Sequence, residues 1–559
     1  MSSHLRIDGA RKMALEQVRS RIGIAMIIVT LVYSVIAVRL VYFGFQEPGE
    51  SASRMLADTT ITARRPDLVD RNGVTLATDI NTASLYAEPR RIVDADEAVE
   101  QLASVLSDLD ISETHKRLKS NAGFVWLKRE LTPSQQNSIL GLGIPGIGFR
   151  NETRRFYPKG DTASHIIGHV NIDNAGIAGL EKYVDDRGLR DLRNAGLTID
   201  QPLEPVHLAL DVRIQHFLRD ELEKSMARYK AIAAGAVVLN VHTGEVVAMG
   251  SLPDYDPNRP VDALKKENLN RMSAGLFEMG STFKTFTTAM AIDSGKVTLR
   301  DRFDASKPLH IAGFTINDFH GKKRVLSVPE VFIFSSNIGT AKMADVVGVD
   351  AHREFLHRMG LLDRMDFELP EVATPSEPSE WKKINSVTIS YGHGVTTTPL
   401  QTAVAAAALV NGGKLIPPTL FPRSREQADA ISRQVVKPST SEVMRYLMRL
   451  NVERGSGKQA EVPGYRVGGK TGTAEKVVKG HYSSEKRFNA FLSAFPIDDP
   501  QYVVLVVIDE PKPEEGKSGA TAGSNAAPMV ANIIRRSAAI LGVKPDFSDF
   551  SAATLVSAH

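Results

Sequence analysis

A serine with a lysine three residues after it constrains this chain more than any other feature. If the stretch from Ser281 to Lys284 is helical, both side chains lie on one face, about 5–6 Å apart at Cβ. An amine that close can take the serine proton, so no histidine is needed to make a nucleophile. Two later motifs, Ser335-Ser336-Asn337 and Lys470-Thr471-Gly472, add a hydroxyl, an amide and a second cation. A fold that gathers the three motifs would hold the groups that acyl transfer at a peptide carbonyl requires.

Each of these residues also has an ordinary structural interpretation. Ser281 could serve only as a helix N-cap, and Lys284 could be a solvated helix charge. Asn337 could be a turn residue, and Lys470 could be a lysine that protects a sheet edge. Single motifs of this kind are common, but their combination in this order is not, so the sequence favours one shared catalytic site.

The composition excludes several classes of function. The 559 residues contain 68 Lys and Arg against 65 Asp and Glu, which gives no electrostatic footprint for nucleic acid. The chain has no cysteine, so disulfides, thiolate catalysis and cysteine-based zinc sites are ruled out. His165 and His169 have a spacing that could suit a metal on a helix, but no HExxH pattern surrounds them. We therefore interpret both histidines as structural and expect neither a metal nor a cofactor.

The N-terminal region has the pattern of a membrane anchor. Residues 22–38 form an apolar run of 17 residues, which continues beyond Arg39. A membrane-spanning helix needs about 20 such residues. Basic residues precede the run and acidic residues follow it, which predicts a cytoplasmic tail at 1–21, an anchor at 22–45 and the rest of the chain outside. A cleaved signal peptide is the alternative, but the run is longer than the usual ~7–15 apolar residues.

The rest of the chain predicts an antiparallel sheet with helices on its faces. Asp211 is a candidate N-cap for an amphipathic helix at 212–229. Two Val- and Ala-rich runs joined by His242-Thr243-Gly244 predict a β-hairpin, and Asp70-Arg71-Asn72-Gly73 predicts a tight turn. The run Tyr502 to Asp509 is typical of a strand with both faces covered. The expected fold class is α/β (α+β).

Longer stretches around the motifs carry a resemblance to one known family. The stretches are Arg65 to Gly73, Tyr157 to Gly160, Gly179 to Glu181, Met279 to Lys284, Ser335 to Gly339 and Lys470 to Ala474. They resemble the class B penicillin-binding proteins, the bacterial peptidoglycan transpeptidases. Pro66 and Met279 depart from the glycine and the proline that are usual at these positions. The resemblance covers nearly the whole chain, from the anchor to about residue 535.

The resemblance implies a domain order. We expect an elongated pedestal (dimerisation-like) domain at 46–205, a transpeptidase domain of the penicillin-binding fold at 206–545 and a flexible tail at 546–559. Within the family, Tyr391-Gly392-His393-Gly394 followed by Thr398-Pro399-Leu400-Gln401 is similar to the division-specific branch. The elongation-specific branch, whose members are usually longer, is the alternative.

The resemblance also implies a role for each catalytic residue. Ser281 would attack the penultimate D-Ala carbonyl of a stem peptide that ends in D-Ala-D-Ala, and Lys284 as a free amine would take its proton. Ser335 would relay a proton to the leaving D-Ala, and Asn337 would hold Lys284 and the donor peptide. Lys470 would supply positive potential and, together with burial, lower the pKa of Lys284.

Residues after Lys470 would bind the substrate. Thr471 and Thr473 would hydrogen-bond the terminal carboxylate, and the backbone N–H groups of Ser281 and Thr473 would form an oxyanion hole. Gly472 would let a substrate backbone approach the strand closely. An amine of a second stem peptide would then attack the acyl-enzyme, whereas a β-lactam would mimic D-Ala-D-Ala and leave Ser281 acylated.

The implied setting is the cell inner membrane at the division site, with a single-pass anchor and a periplasmic catalytic domain. The implied partners are peptidoglycan stem peptides, a SEDS-family glycosyltransferase and other divisome membrane proteins. Three other functions stay open at this point. They are a D,D-carboxypeptidase or β-lactamase that uses water as acceptor, a penicillin sensor, and a non-enzymatic septal scaffold.

Overall fold

The computed structural model describes residues 26–27, 29–37, 39, 65–189, 203–478, 481–516 and 519–555. The chain divides into two compact units, Met1–Ala63 and Arg64–His559. All described residues of the first unit are helical. The expected cytoplasmic tail and part of the expected anchor at 22–45 lie outside the described residues. Within the described part of the chain, no helix is both long enough and apolar enough to cross a membrane.

The first part of the second unit is built on a five-stranded sheet. Its strands run in the order β3, β2, β1 and β7, and β4 also pairs with β2. The strands up to residue 207 are β1 (Leu68–Val69), β2 (Thr75–Ala87), β3 (Val125–Leu131), β4 (Ile147–Phe156), β5 (His169–Val170), β6 (Gly176–Ala178) and β7 (Val206–His207). The helices are α1 (Ala95–Val105), α2 (Ile111–Leu118), α3 (Pro133–Leu142), α4 (Ser164–Ile167) and α5 (Gly179–Val184).

A buried ionic cluster holds this part together. Arg65 contacts Glu181 and Asp185, each at 2.7 Å. Arg155 contacts Glu181 at 2.7 Å and Asp79 at 3.1 Å. The five side chains are at most 4% exposed, so water screens the cluster little. Glu181 bridges both arginines and is the centre of the cluster.

The predicted turn at residues 70–73 is confirmed, and it joins the two halves of the second unit. Asp70 Oδ1 accepts hydrogen bonds from the backbone N–H groups of Asn72 and Val74, both at 2.8 Å. Asp70 Oδ2 accepts one from the N–H of Val212 at 3.1 Å. Val212 is the first residue of the next long helix, so the turn fixes where that helix begins.

The second half contains the elements that carry the three motifs. Its strands are β8 (Ala233–Asn240), β9 (Val246–Leu252), β10 (Arg302–Asp304), β11 (Leu309–Ile311), β12 (Phe314–Ile316), β13 (Val325–Ser327), β14 (Lys414–Leu415), β15 (Arg433–Gln434), β16 (Gly468–Val478), β17 (His481–Phe495) and β18 (Tyr502–Asp509). Its helices are α6 (Val212–Tyr229), α7 (Phe283–Asp293), α8 (Val328–Ile333), α9 (Asn337–Val347), α10 (Val349–Arg358), α11 (Lys383–Ser390), α12 (Pro399–Val410), α13 (Arg425–Ile431), α14 (Pro438–Arg454) and α15 (Ala526–Ser537).

The central sheet is antiparallel and runs in the order β16, β17, β18, β8 and β9. The predicted hairpin is β8 and β9, and the predicted helix after Asp211 is α6, which Asp211 caps at the N–H of Arg213. Every residue of β18 is buried. Its residues alternate between two cores. Val503, Leu505 and Val507 face one core, and Val504, Val506 and Ile508 face the other. The expected class, an antiparallel sheet flanked by helices, is therefore present.

The two cores belong to different helices. One face of the sheet packs against α6 and α15, which bury residues such as Leu218 and Ile533. The opposite face packs against α7 and α12, which contribute Phe286 and Leu409. The helix α7 is thus buried in the larger core, and it starts just after Ser281.

Within the segment expected as a flexible tail, one described residue is buried, whereas most of the others are exposed. A short 3-10 helix spans Ala552–Leu555, and Ala552 is 1% exposed. Its backbone N–H donates to Glu453 at 2.8 Å, and its methyl group joins a small cluster with Ile333 and Leu450. The flexible tail stays a prediction, but the sequence did not predict the burial of Ala552, because alanine has little apolar surface and its packing depends on the shape of α14.

Candidate active site

The proposed nucleophile lies at the entrance to a buried helix. Ser281 is half-buried in a 3-10 turn, Gly280–Thr282, that leads directly into α7. Gly280 has φ of 53°, a left-handed value that glycine adopts readily. Lys284, on the first turn of α7, is 1% exposed. The spacing therefore sets Ser281 and Lys284 on one helical face, as the sequence predicts.

The second and third motifs meet at one hydroxyl. Lys284 Nζ donates to Ser335 Oγ at 3.0 Å and to the Ser335 carbonyl at 2.5 Å. Lys470 Nζ donates to the same Ser335 Oγ, also at 3.0 Å. Ser335 has φ of 56°, which is uncommon for a residue with a side chain and costs of order 1–3 kcal/mol. The fold therefore brings residues from three distant segments into one hydrogen-bonded group.

Burial makes both lysines unusually acidic. Desolvation lowers the pKa of Lys284 well below its ordinary value, the charge of Lys470 lowers it further, and Asp318 opposes the shift. Desolvation also lowers the pKa of Lys470, to about 7. Because a buried ammonium loses its hydration, the neutral amine is favoured. The neutral amine of Lys284, which can accept a proton, is therefore available at lower pH than the amine of an exposed lysine.

The serine and asparagine that follow Ser335 are held by two neighbouring residues, Asp318 and Asn317, that no motif marks. Ser336 Oγ donates to Asp318 Oδ2 at 2.7 Å and accepts from the N–H of Gly339 at 3.0 Å, which caps α9. Asn337 Nδ2 donates to the carbonyl of Asn317 at 2.9 Å. Among the described residues, the expected contact between Asn337 and Lys284 is not made. Asp318 lies in an exposed loop, and only tertiary contact brings it to the motif.

The third motif lies on β16, at the edge of the sheet and directly beside the nucleophile. A Cβ on Gly472 would lie 2.6 Å from the carbonyl of Met279, and a Cβ on Gly280 would lie 2.9 Å from the carbonyl of Thr473. Contacts this short exclude side chains at both glycines. The turn of Ser281 and the strand of Lys470 are therefore in backbone contact.

The two threonines of the third motif have partners from outside it. Thr471 Oγ1 shares a hydrogen bond with Ser456 Oγ at 2.6 Å. Thr473 Oγ1 accepts from the N–H of Ala522 at 3.2 Å. Ser456 belongs to a glycine-rich loop after α14, and nothing in the sequence links it to the site. Thr471 and Thr473 are both fixed in position on β16.

The segment Tyr391-Gly392-His393-Gly394 also lies against the nucleophile's turn. A Cβ on Gly392 would lie 2.0 Å from the carbonyl of Gly280. Glu278, three residues before Ser281, accepts from the N–H of Gly394 at 2.7 Å and from Tyr482 Oη at 3.2 Å. Burial, and then the nearby Lys284, lowers the pKa of His393 to about 4, so this ring is neutral near pH 7. The segment is therefore one wall of the site.

No metal centre accompanies these residues in the described part of the chain: no group of three His, Asp or Glu side chains is placed to hold an ion. His165 and His169 instead flank the ring of Tyr255, at 5.5 and 5.6 Å between ring centroids. His165 is bound to the carbonyl of Asn268 at 2.6 Å. These contacts agree with a structural role for both histidines.

Two family models match the chain. Residues 234–535 match the penicillin-binding protein transpeptidase domain, which covers more than half of the chain, and residues 60–190 match the penicillin-binding protein dimerisation domain. The dimerisation domain comes first in the sequence, and the transpeptidase domain follows it.

Known proteins of the same kind are similar over most of their length. A probable peptidoglycan D,D-transpeptidase FtsI of Caulobacter vibrioides is 39% identical over 87% of this chain and 82% of its own. The peptidoglycan D,D-transpeptidase FtsI of Escherichia coli K12 is 29% identical over 89% and 87%. A crystal structure of penicillin-binding protein 3 from Mycobacterium tuberculosis, complexed with aztreonam, shares the fold with a TM-score of 0.66 and 23% identity, over 87% of this chain and 97% of that one. The chain therefore belongs to the class B penicillin-binding proteins, in their division-specific group.

Proposed function

We propose that this protein is a serine D,D-transpeptidase that crosslinks peptidoglycan stem peptides at the division septum through an acyl-enzyme on Ser281. The observation that carries the proposal is the group formed by Lys284, Ser335 and Lys470, in which one hydroxyl accepts from two buried amines at 3.0 Å each. The FtsI relatives are named peptidoglycan D,D-transpeptidases, which supports the same reaction here.

The first step forms the acyl-enzyme. Ser281 Oγ attacks the penultimate D-Ala carbonyl of the donor, and the neutral amine of Lys284 takes the hydroxyl proton. The carbonyl oxygen becomes an oxyanion, which the backbone N–H groups of Ser281 and Thr473 stabilise; one such donor is worth about 10²–10³ in rate in other enzymes. The C–N bond to the terminal D-Ala then breaks, and the leaving amine takes the proton that Lys284 holds, passed through the hydroxyl of Ser335.

The donor peptide lies along β16. This strand ends the described sheet, so its outer edge can pair with an extended peptide. Thr471 and Thr473 hydrogen-bond the terminal carboxylate of the donor, and Lys470 adds positive potential when it is protonated. Gly472 admits the peptide backbone because no side chain stands in its way, and Asn337 holds the donor from the opposite wall.

The second step transfers the acyl group to an amine. The amine of a neighbouring stem peptide attacks the ester carbonyl on Ser281, and its proton passes to Lys284. The ester C–O bond breaks, and Ser281 regains its proton as the new amide forms. Water as the acceptor would give a carboxypeptidase, so the ratio of crosslinked to hydrolysed product measures which reaction the site performs.

The proposal includes a place in the cell. The apolar run that begins at residue 22, with basic residues before it, supports a single-pass anchor at 22–45 in the inner membrane with the catalytic domain on the periplasmic side. A SEDS-family glycosyltransferase and other divisome membrane proteins are the proposed partners, as the resemblance to the class B penicillin-binding proteins implies. The position of a fluorescently tagged copy in dividing cells tests this part, because an enzyme of lateral wall growth would not concentrate at midcell.

Replacement of the nucleophile tests the chemistry. Ser281→Ala is expected to abolish covalent labelling by a fluorescent penicillin, because no oxygen remains to be acylated. Ser294→Ala is the matched control: it removes a serine at the other end of α7, where the hydroxyl bonds the carbonyl of Ala291 at 2.7 Å. The control should label like the unmodified protein. Labelling of the Ser281→Ala protein at full yield would refute the assignment.

A further inference from the structure

A cationic and aromatic loop lies directly beside the second motif. The rim loop, residues 317–324, connects β12 to β13. Its first two residues are bonded to the site: the Asn317 carbonyl accepts from Asn337, and Asp318 accepts from Ser336 at 2.7 Å and from the N–H of Ile338 at 2.9 Å. These bonds fix the base of the loop at the edge of the active site. A substrate bound in the site therefore lies near the loop.

The rim loop displays aromatic surface to solvent. Phe319 is 71% exposed, and Phe314, the first residue of the preceding strand β12, is 62% exposed. A single exposed aromatic residue is ordinary on a protein surface, but two exposed rings five residues apart offer apolar surface that a ligand can contact. The mechanism proposed above uses neither ring.

The fully exposed charged side chains of the rim loop are all positive. Lys322, Lys323 and Arg324 are consecutive and exposed, whereas the one carboxylate of the loop, Asp318, points inward to α9. Arg324 is paired with Glu330 at 2.7 Å, and Lys322 lies over the ring of Phe334 at 4.8 Å. Among the described residues, Lys323 has no carboxylate within ion-pair distance. The loop therefore presents uncompensated positive charge next to its aromatic rings.

We propose that the rim loop binds the anionic stem peptide of the donor strand, on the part of the peptide that lies before its reacting D-Ala-D-Ala end. This inference rests on the proposed function and adds a second recognition site to it. Wall stem peptides carry free carboxylates besides the terminal one, and these match the ammonium groups of Lys322 and Lys323. The peptide's apolar groups would pack on Phe319. Charge complementarity of this kind acts mainly on encounter and orientation, so it falls as salt rises.

The test compares two triple variants with equal changes in charge. Phe319→Ala/Lys322→Glu/Lys323→Glu alters the rim loop, and Leu264→Ala/Lys265→Glu/Lys266→Glu alters another exposed site, where Leu264 is 92% exposed beside two lysines. Binding of a soluble, uncrosslinked disaccharide-pentapeptide to the full-length protein is measured by calorimetry at low and high salt. The rate of acylation by benzylpenicillin is measured in parallel, because this small acyl donor lacks the part of the stem peptide that precedes D-Ala-D-Ala.

The rim-loop variant is expected to bind the disaccharide-pentapeptide ~10-fold more weakly at low salt, with a smaller difference at high salt. Its penicillin acylation rate should stay within about twofold of the unmodified protein, and the Leu264 variant should behave like the unmodified protein in both assays. A pentapeptide with amidated carboxylates should bind the unmodified protein as weakly as the charged peptide binds the rim-loop variant.

Three outcomes would overturn the inference. One is unchanged binding of the pentapeptide by the rim-loop variant, and another is equal binding of charged and amidated peptides by the unmodified protein. The third is normal peptide binding with loss of crosslinking only when partner membrane proteins are present, which would make the loop a protein-docking surface. Failure of the proposed function has a different signature, since the unmodified protein itself would then not be acylated at Ser281.

Discussion

At the scale of single residues, the site depends on two lysines that share one acceptor. Lys284 and Lys470 both donate to Ser335 Oγ, and both are buried. Two ammonium groups this close repel each other, so their protonation is coupled, and the pair rather than either lysine sets the observed titration. The state suited to the proposed reaction has Lys284 neutral and Lys470 charged.

This arrangement predicts a bell-shaped pH profile for acylation by penicillin. As pH rises, Lys284 loses its proton far below the ordinary lysine pKa, and the rate increases because the base becomes available. As pH rises through about 7, Lys470 loses its charge, and the attraction for the substrate carboxylate weakens. Second-order acylation rates measured from about pH 5 to about pH 10 should therefore pass through a maximum well below the ordinary lysine pKa of about 10.4.

A β-lactam whose carboxylate is esterified provides the control for the descending limb. Its acylation rate should rise with pH but fall much less afterwards, because Lys470 has no carboxylate to attract. A rate that keeps climbing toward pH 10 for both compounds would mean that Lys284 titrates like an exposed lysine, which would contradict the burial argument.

The residues that sequence predicted best are those whose role is set locally. Ser281 and Lys284 are three residues apart, in a 3-10 turn and the helix α7 that directly follows it, so local geometry alone predicts that their side chains lie near each other. Asp318 and Ser456 were not predicted, because each reaches the site only through tertiary packing and stands in no recognisable motif. The expected bond between Asn337 and Lys284 also depended on tertiary geometry, and the asparagine amide bonds Asn317 instead.

At the scale of secondary-structure elements, the site is assembled by backbone contacts between the turn before α7, the strand β16 and the segment before α12. The position of Gly392 is the tightest of these contacts, since a Cβ there would lie 2.0 Å from the carbonyl of Gly280. Gly392 has φ of 91°, so a side chain is disfavoured by conformation as well as by space.

Gly392→Ala is expected to lower the rate of penicillin acylation at least about tenfold, because the new methyl group must push the turn that carries Ser281, and small displacements of a reacting group cost up to ~10²-fold. Gly412→Ala is the matched control. Gly412 has the same φ of 91°, but no atom lies within 4 Å of an added Cβ. Stopped-flow measurement of acylation reports the effect on the active site, and a denaturation curve reports the effect on stability. Together, for both variants, they separate the local collision from general backbone strain. If the two variants lost the same amount of activity, the cause would be the backbone strain at positive φ and not the collision with the turn of Ser281.

Elements with a strong local signal were predicted well. The helix after Asp211 and the strand β18 have the predicted bounds because period and capping residues mark them in sequence. The packing of Ala552 was missed, since the apolar surface of alanine is small and its burial depends on the shape of α14. The local sequence pattern was therefore enough to predict individual helices and strands. The position of a segment with a weak pattern depends instead on how well its shape fits its neighbours, which sequence alone does not give.

At the scale of the whole molecule, the buried ionic cluster around Glu181 is the feature with the greatest expected effect on stability. Glu181 compensates Arg65 and Arg155, whose side chains are both 0% exposed. A buried charge that loses its partner keeps its desolvation cost without the compensating attraction. The cluster also lies close to the second half of the chain: the N–H of Gly179 contacts both carboxylate oxygens of Glu371 at 3.3 Å.

Glu181→Gln is therefore expected to lower the free energy of unfolding by ~3–5 kcal/mol, because it leaves two buried guanidinium groups with less negative charge. Glu113→Gln is the matched control: it removes one carboxylate from an exposed pair with Arg117, and such pairs contribute about 0.3–0.5 kcal/mol. Urea denaturation of the two variants beside the unmodified protein gives the comparison. A loss for Glu181→Gln no larger than that of the control would show that the cluster is not essential to stability.

The glycines at 280, 392 and 472 also restrict which amino-acid substitutions this protein can accept during evolution. Each contacts a main-chain carbonyl so closely that even one methyl group would collide. The surface they form is therefore nearly independent of side-chain identity and closed to ordinary substitution. Substitutions that change the response to an inhibitor therefore have to occur at residues whose side chains surround this surface. Variants that escape drugs should accumulate at its margins while the three glycines stay the same.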